Sequence, residues 1–305
     1  MSNAILGAAK NPKRSLSGYR IKKAFVPWMF LAPGILITLL LRYYTIFKAI
    51  ILSFYKYDVA NPPGVFLGLR NFGYMLKDPN YWDAWKNTFI FVFLILLLNF
   101  FVPIVQALLL AEVGKLRNFF STIYILPAVI PLTINVVLWR WIFDPSYGIS
   151  NYIIGLFGGE PQLWLSDPKM VKFCIIFPGI IGGGINVLLY LAAIMGISED
   201  IKEASQIDGC TGFRRMLAII LPNIKFLILI QFILTTLSGF QLLDLPYQFT
   251  NGGPGFSSTS MPVYIYKLAM VNFDYGKSSA SALSLMVIIA IITFVQMKLN
   301  NQERE

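Results

Sequence analysis

Of the 305 residues, 56% are hydrophobic and 13% charged, and the mean hydropathy is +0.65, more apolar than the core of a water-soluble domain requires. The net charge of +10 comes from basic residues scattered among loops, without a basic groove interleaved with aromatics, which argues against nucleic acid as a partner. Histidine is absent and cysteine occurs only as Cys174 and Cys210, so the usual zinc sites and most nucleophile-and-base pairs are excluded: no catalytic residue, metal or cofactor is expected.

Lipid is the solvent that fits, and a bilayer core needs roughly 20 mostly apolar helical residues per crossing, a length met by runs at about 25–46, 88–111, 119–143, 173–197, 224–243 and 279–298. Ahead of the first run stand Lys10, Lys13, Arg14, Arg20, Lys22 and Lys23 with no acidic residue, which places segment 1–24 in the cytoplasm. No small-residue cleavage site follows that run, so it is expected to stay as an anchor and not to be removed as a signal. Arg42 near its end can snorkel to the headgroups. Region 25–298 is then an all-α membrane domain of six spans, and the tail 299–305 returns to the cytoplasm.

The loops on the other side, about 54–87 and 144–172, carry turn residues such as Asn61, Pro62, Pro63 and Gly64, then Asp144, Pro145, Ser146, Tyr147 and Gly148. They are expected to form short structured caps, with Trp82, Trp85, Trp139, Trp141 and Trp164 as interfacial belt residues. Cys174 falls inside the fourth span and Cys210 in a cytoplasmic loop, so no disulfide joins them. On the fourth span Gly182, Asn186, Leu189 and Ala193 share a face, and the run Gly182, Gly183, Gly184 is expected to kink the helix.

Between the fourth and fifth spans, Ser198 is placed to cap a helix whose first turn holds Glu199 and Asp200 and which runs to Ile207. Gly209 permits a sharp left-handed reversal, and Thr211 is placed to cap a second short helix. Ile201, Ala204 and Ile207 form an apolar stripe suited to a groove on another protein, or to the membrane surface. Glu203 Ala204 Ser205, Asp208 Gly209 and Ile219 with Leu221 Pro222 resemble the EAA loop of bacterial ABC importer permeases. Thr250 Asn251 Gly252 Gly253 Pro254 with Thr259 and Tyr264 Ile265 Tyr266 is similar to segments of the carbohydrate-uptake branch. Gly68 to Phe72, Asn87 Thr88, Leu126 Pro127, Gly148 with Asn151, and Gly276 with the small residues after Ser278 extend the resemblance from about Phe25 onward. Cys210 departs from the usual Ala, Met216 from a common aromatic and Phe226 from a second Pro.

The resemblance implies a type I importer permease in the bacterial inner membrane, both termini cytoplasmic. Its partners would be a second permease subunit, two cytoplasmic ATPase subunits and an extracellular solute-binding protein that delivers a sugar. Glu203, Ala204, Ser205, Asp208, Gly209, Leu221 and Pro222 would form the coupling loop, Glu203 pairing with a cation of the ATPase. ATP hydrolysis belongs elsewhere: Gly276 Lys277 Ser278 ends like a phosphate-binding loop, but Val271 stands where its first glycine is required.

On the fifth span Gln231, Thr235, Ser238 and Leu242 share a face, with Gln241 beside it. Together with Gly182 and Asn186 these residues could line a path for an uncharged polyhydroxylated solute, or bridge helices structurally. The other readings are a stand-alone secondary carrier or channel, or an importer of another cargo such as a polyol phosphate. No inverted repeat is seen and no intramembrane acid or base is present to couple a proton.

Overall fold

The computed structural model describes residues 16–57 and 62–302. The basic residues Lys10, Lys13 and Arg14, the turn residue Asn61 and the end of the tail therefore lie outside the described residues. The chain divides into two units, 1–51 and 52–305. The described residues of the first form a helix from Leu16 that continues, through a π-helical stretch at Leu39–Tyr43, up to the boundary at Leu52; no side chain of its apolar part, Pro27–Leu52, is buried.

In the second unit, two further helices are long and apolar enough to cross a membrane, Pro79–Glu112 and Tyr275–Leu299. The first of these starts nine residues before the expected run at 88. Asp78 explains the early start: its carboxylate accepts the Asn80 amide at 2.9 Å, and Pro79 sits at the first helical position, where no donor is needed.

The other three expected spans are not straight rods. Gly114–Val129 and Leu132–Ile142 meet at 99°, Val171–Ile181 and Gly184–Met195 at 46°, and Gly212–Asn223 and Lys225–Phe240 at 74°. Two of the breaks have a local chemical cause. Pro131 forces Ile130 out of the helical region, to ψ 126°. The glycine run at 182–184 supplies the second break, where it was expected. Pro222 lies just ahead of the third, which falls at Ile224.

Pro79–Glu112 is the central rod of this unit, feeding all three apolar clusters. Phe100, Ile104 and Leu108 pack on Val187, Tyr190 and Ile194 of the fourth span. Tyr81, Trp85 and Val92 pack on Phe240, Met261 and Tyr264. Phe91 and Ile95 pack on Val136, Ile175 and Phe249. Gly184 allows the closest approach: a methyl group there would overlap the Tyr124 carbonyl.

The loops expected to form caps are structured, held by specific hydrogen bonds. Tyr55–Lys56 and Val65–Phe66 pair antiparallel, and the Asn71 amide donates to Ser53 O at 2.8 Å and Tyr55 O at 2.9 Å. The Asn87 amide donates to Phe256 O at 2.9 Å and Thr259 O at 3.1 Å, while the Met261 amide donates to Thr88 Oγ1 at 2.7 Å. Of the five tryptophans assigned to the interface, Trp82 and Trp141 are exposed. Trp85 is instead core, and half-buried Trp164 donates its indole N–H to Asn151 Oδ1 at 2.7 Å.

Candidate functional site

The loop after the fourth span folds as a helix, a reversal and a helix. The first helix is Glu199–Ile207, with Glu199 and Asp200 in its first turn. Ser198 and Thr211 occupy the capping positions, but neither side chain makes the capping hydrogen bond expected of it. The helix is held at its other end instead. Cys210 N–H donates to Ser205 O at 2.8 Å and Gly209 N–H to Gln206 O at 3.1 Å, the paired bonds of a Schellman turn, with Gly209 at φ +66°. Ser205 and Cys210 are the two inward residues of the turn, both buried, so the cysteine that departs from the family pattern occupies a packed position.

Most of the other residues from Ile201 to Gly209 are exposed, Lys202 being half-buried. Glu203, Ala204, Asp208 and Gly209 are exposed, and Ile207 is 86% exposed, a large apolar side chain with nothing of its own chain over it. Ile201 and Phe213 extend the exposed apolar surface. The second helix is longer than expected: it runs from Gly212 through a π-helical stretch at Met216–Ile220 to Asn223, so Leu221 and Pro222 lie within it, Leu221 half-buried and Pro222 exposed.

Two ionic contacts brace the elbow. Lys202 pairs with Glu199 at 2.9 Å, and Arg215 pairs with Glu112, the last residue of the central rod. Arg117 donates to Ala111 O at 2.7 Å on the same side. Glu112, Arg117, Glu203, Gln206 and Arg215 border a cavity of about 350 Å³ beneath the elbow. The Glu112 to Arg215 link has no sequence signal, because its partners stand 103 positions apart.

The candidate solute residues are placed less uniformly. Asn186, Gln231 and Thr235 are half-buried and Ser238 and Gln241 exposed. Their side chains form no hydrogen bond within the described residues, unlike neighbouring Thr236, which donates to Phe232 O at 2.7 Å and accepts from Gln296 at 3.1 Å. Leu242 does not share their face. The fifth helix ends at Phe240, and Leu242 instead packs half-buried against the cluster containing Phe249. Gly182 ends the first segment of the broken fourth span, just before the kink.

The motif that resembles a phosphate loop is built into packing. A side chain at Gly276 would collide with the Tyr55 carbonyl and the Asn71 amide, Lys277 pairs with Asp274 at 3.0 Å, and Ser278 donates to Ile265 O at 3.0 Å. After the helix Asp244–Thr250 the chain turns at Asn251, which takes φ +50°, and Lys267 donates to Asn251 O at 2.7 Å. Burial lowers the Lys267 pKa.

Residues 104–304 match the family described as binding-protein-dependent transport system inner membrane component. The chain is 32% identical over 281 residues to the lactose transport system permease protein LacF of Rhizobium radiobacter, covering 88% of this chain and 92% of that one. It is 27% identical over 290 residues to the trehalose/maltose transport system permease protein MalF of Thermococcus litoralis, covering 95% and 98%. Among solved structures, a chain of a bacterial alginate ABC transporter, crystallised with an alginate pentasaccharide-bound periplasmic protein, has the same fold. The TM-score is 0.81 over 91% of this chain and 94% of that one, at 24% identity.

Proposed function

We propose that this chain, which belongs to the family of binding-protein-dependent transport system inner membrane components, is the sugar-translocating permease subunit of an ATP-driven importer. It is not an enzyme: ATP is hydrolysed on separate cytoplasmic subunits, and a solute-binding protein delivers the cargo outside. The three long helices and the three bent pairs act as six spans, with both termini in the cytoplasm. The relatives named for lactose and for trehalose and maltose support a sugar as cargo.

The observation that carries the coupling role is the outward elbow itself. Ile207 lies bare beside Glu203 and Ala204, on a turn pinned by two backbone bonds and tied to the central rod through Arg215 and Glu112. An ATPase subunit that grips Glu203 to Gly209 would move the second and fifth spans together, as a rigid-body step between outward and inward access. Asn186, Gln231, Thr235, Ser238 and Gln241, whose side chains have no hydrogen-bond partner among the described residues, together with Gly182 at the kink, are the candidates for lining the solute path.

Sugar uptake into membrane vesicles tests this. Glu203→Lys removes the charge offered to the partner, and Gly209→Pro locks φ near −65° where +66° is required. Both variants are expected to reach the membrane at normal levels and to lose ATP-driven uptake. Undiminished uptake by both would refute the coupling role.

A further inference from the structure

The short helix Ile149–Leu156, between the third and fourth spans, is amphipathic in the reverse of the sense a watery surroundings would select. Ile149, Tyr152, Ile153 and Leu156 recur at helical spacing and fill a stripe of about 100°. That stripe points away from the protein: Tyr152 is 69% exposed and Leu156 66%. The polar residues Ser150 and Asn151 lie off that stripe, both half-buried. Asn151 donates to Pro145 O at 2.9 Å and Gln162 O at 3.0 Å, and accepts from Gln162 N at 2.9 Å and the Trp164 indole at 2.7 Å. Every donor and acceptor of its amide is thus satisfied on the protein side, which fixes the rotation of the helix and leaves the apolar stripe outside.

No charged residue lies between Asp144 and Glu160. The exposed apolar surface is also continuous with a span. Ile134, Val137, Leu138 and Trp141 of Leu132–Ile142 are exposed on the helix that leads directly into this loop, and Tyr147 and Phe157 flank the stripe. Aliphatic side chains mixed with tyrosine and tryptophan, without charge and adjoining the lipid face of a span, match the boundary between headgroups and acyl chains.

We propose that Ile149–Leu156 is an interfacial anchor, its Ile149, Tyr152, Ile153 and Leu156 stripe immersed in the headgroup–acyl boundary of the leaflet at the end of the third span. The loop is thereby held against the bilayer and does not stand free in water. The Asn151 cluster is the joint between anchor and protein, and the anchor restrains the outer half of the bent third span.

The test uses the complete transporter in phosphatidylethanolamine–phosphatidylglycerol vesicles. Nitroxide labels are attached to single cysteines made by Tyr152→Cys, Ile153→Cys or Leu156→Cys, with Glu160→Cys as control, in a Cys174→Ala, Cys210→Ala background. Oxygen is expected to relax the three stripe labels more than a water-soluble nickel chelate does, with the order reversed at residue 160. Relaxation of the stripe mainly by nickel would mean that it faces water and would overturn the proposal. So would protection from both reagents, which would mean that a protein subunit covers it. In the unaltered chain, a phospholipid bearing a diazirine near its glycerol is expected to label the peptide 145–159. Label on the spans but none on that peptide would also refute the anchor.

Discussion

At the scale of single residues, the polar side chains that matter most are those that satisfy backbone groups far away in sequence. Asn87 is 6% exposed and holds two carbonyls, at Phe256 and Thr259, against the second span. Asn87→Ala would leave the buried Thr259 carbonyl and the part-buried Phe256 carbonyl without this donor, a cost of about 1–3 kcal/mol. The expected result is a melting temperature lowered by several degrees in detergent, with the fold otherwise retained, read by circular dichroism. Asn71 does the same for the outer hairpin. Tyr264 adds a third tie, donating to Asp78 Oδ2 at 2.7 Å; burial, and then the hydrogen bond to that carboxylate, raise the pKa of its hydroxyl. The residue types and their neighbours were legible as resemblances to family segments. The partners were not, because a side-chain amide carries no mark of which distant carbonyl it will meet.

At the scale of elements, the elbow was the most readable part. Its first helix ends at Ile207 as expected and its reversal falls on Gly209, since acidic residues at a helix start and a glycine past its end act locally. The length of the second helix was not readable, because Pro222 resembles a boundary yet lies inside a helix that bends only after it. The Glu112 to Arg215 pair belongs to this scale. Its carboxylate is 63% exposed, so solvent screens it and its worth is on the order of 0.5–1 kcal/mol. Glu112→Lys or Arg215→Glu alone is expected to slow ATP-driven uptake roughly two- to fivefold, with partial recovery in the double reversal. Vesicle uptake assays across the four-member cycle would measure it, and equal rates in all four would show that the link transmits nothing.

At the scale of the whole molecule, a proposed topology has to be consistent with a chain in which the third, fourth and fifth of the six proposed spans are each broken. With six crossings, the elbow and the loop at Glu160 lie on opposite sides of the membrane. An impermeant thiol reagent should therefore label Gln206→Cys only in inverted vesicles and Glu160→Cys only in intact spheroplasts; labelling of both from one side would rule out that path. Apolar run length marked the chain, without coordinates, as one suited to lipid, because transfer free energy sums over composition, and the residues Glu203 to Gly209 with Leu221 and Pro222 marked which loop to inspect. That the fifth span bends at Ile224, that Trp85 is core, that Leu242 leaves the fifth helix, and that Asn151 turns inward while its helix faces out were decided only by tertiary packing. Trp85 meets Phe240, Met261 and Tyr264 across more than a hundred residues of chain, and the shorter-range contacts of Leu242 and Asn151 equally depend on which surfaces pack together, which no local pattern encodes.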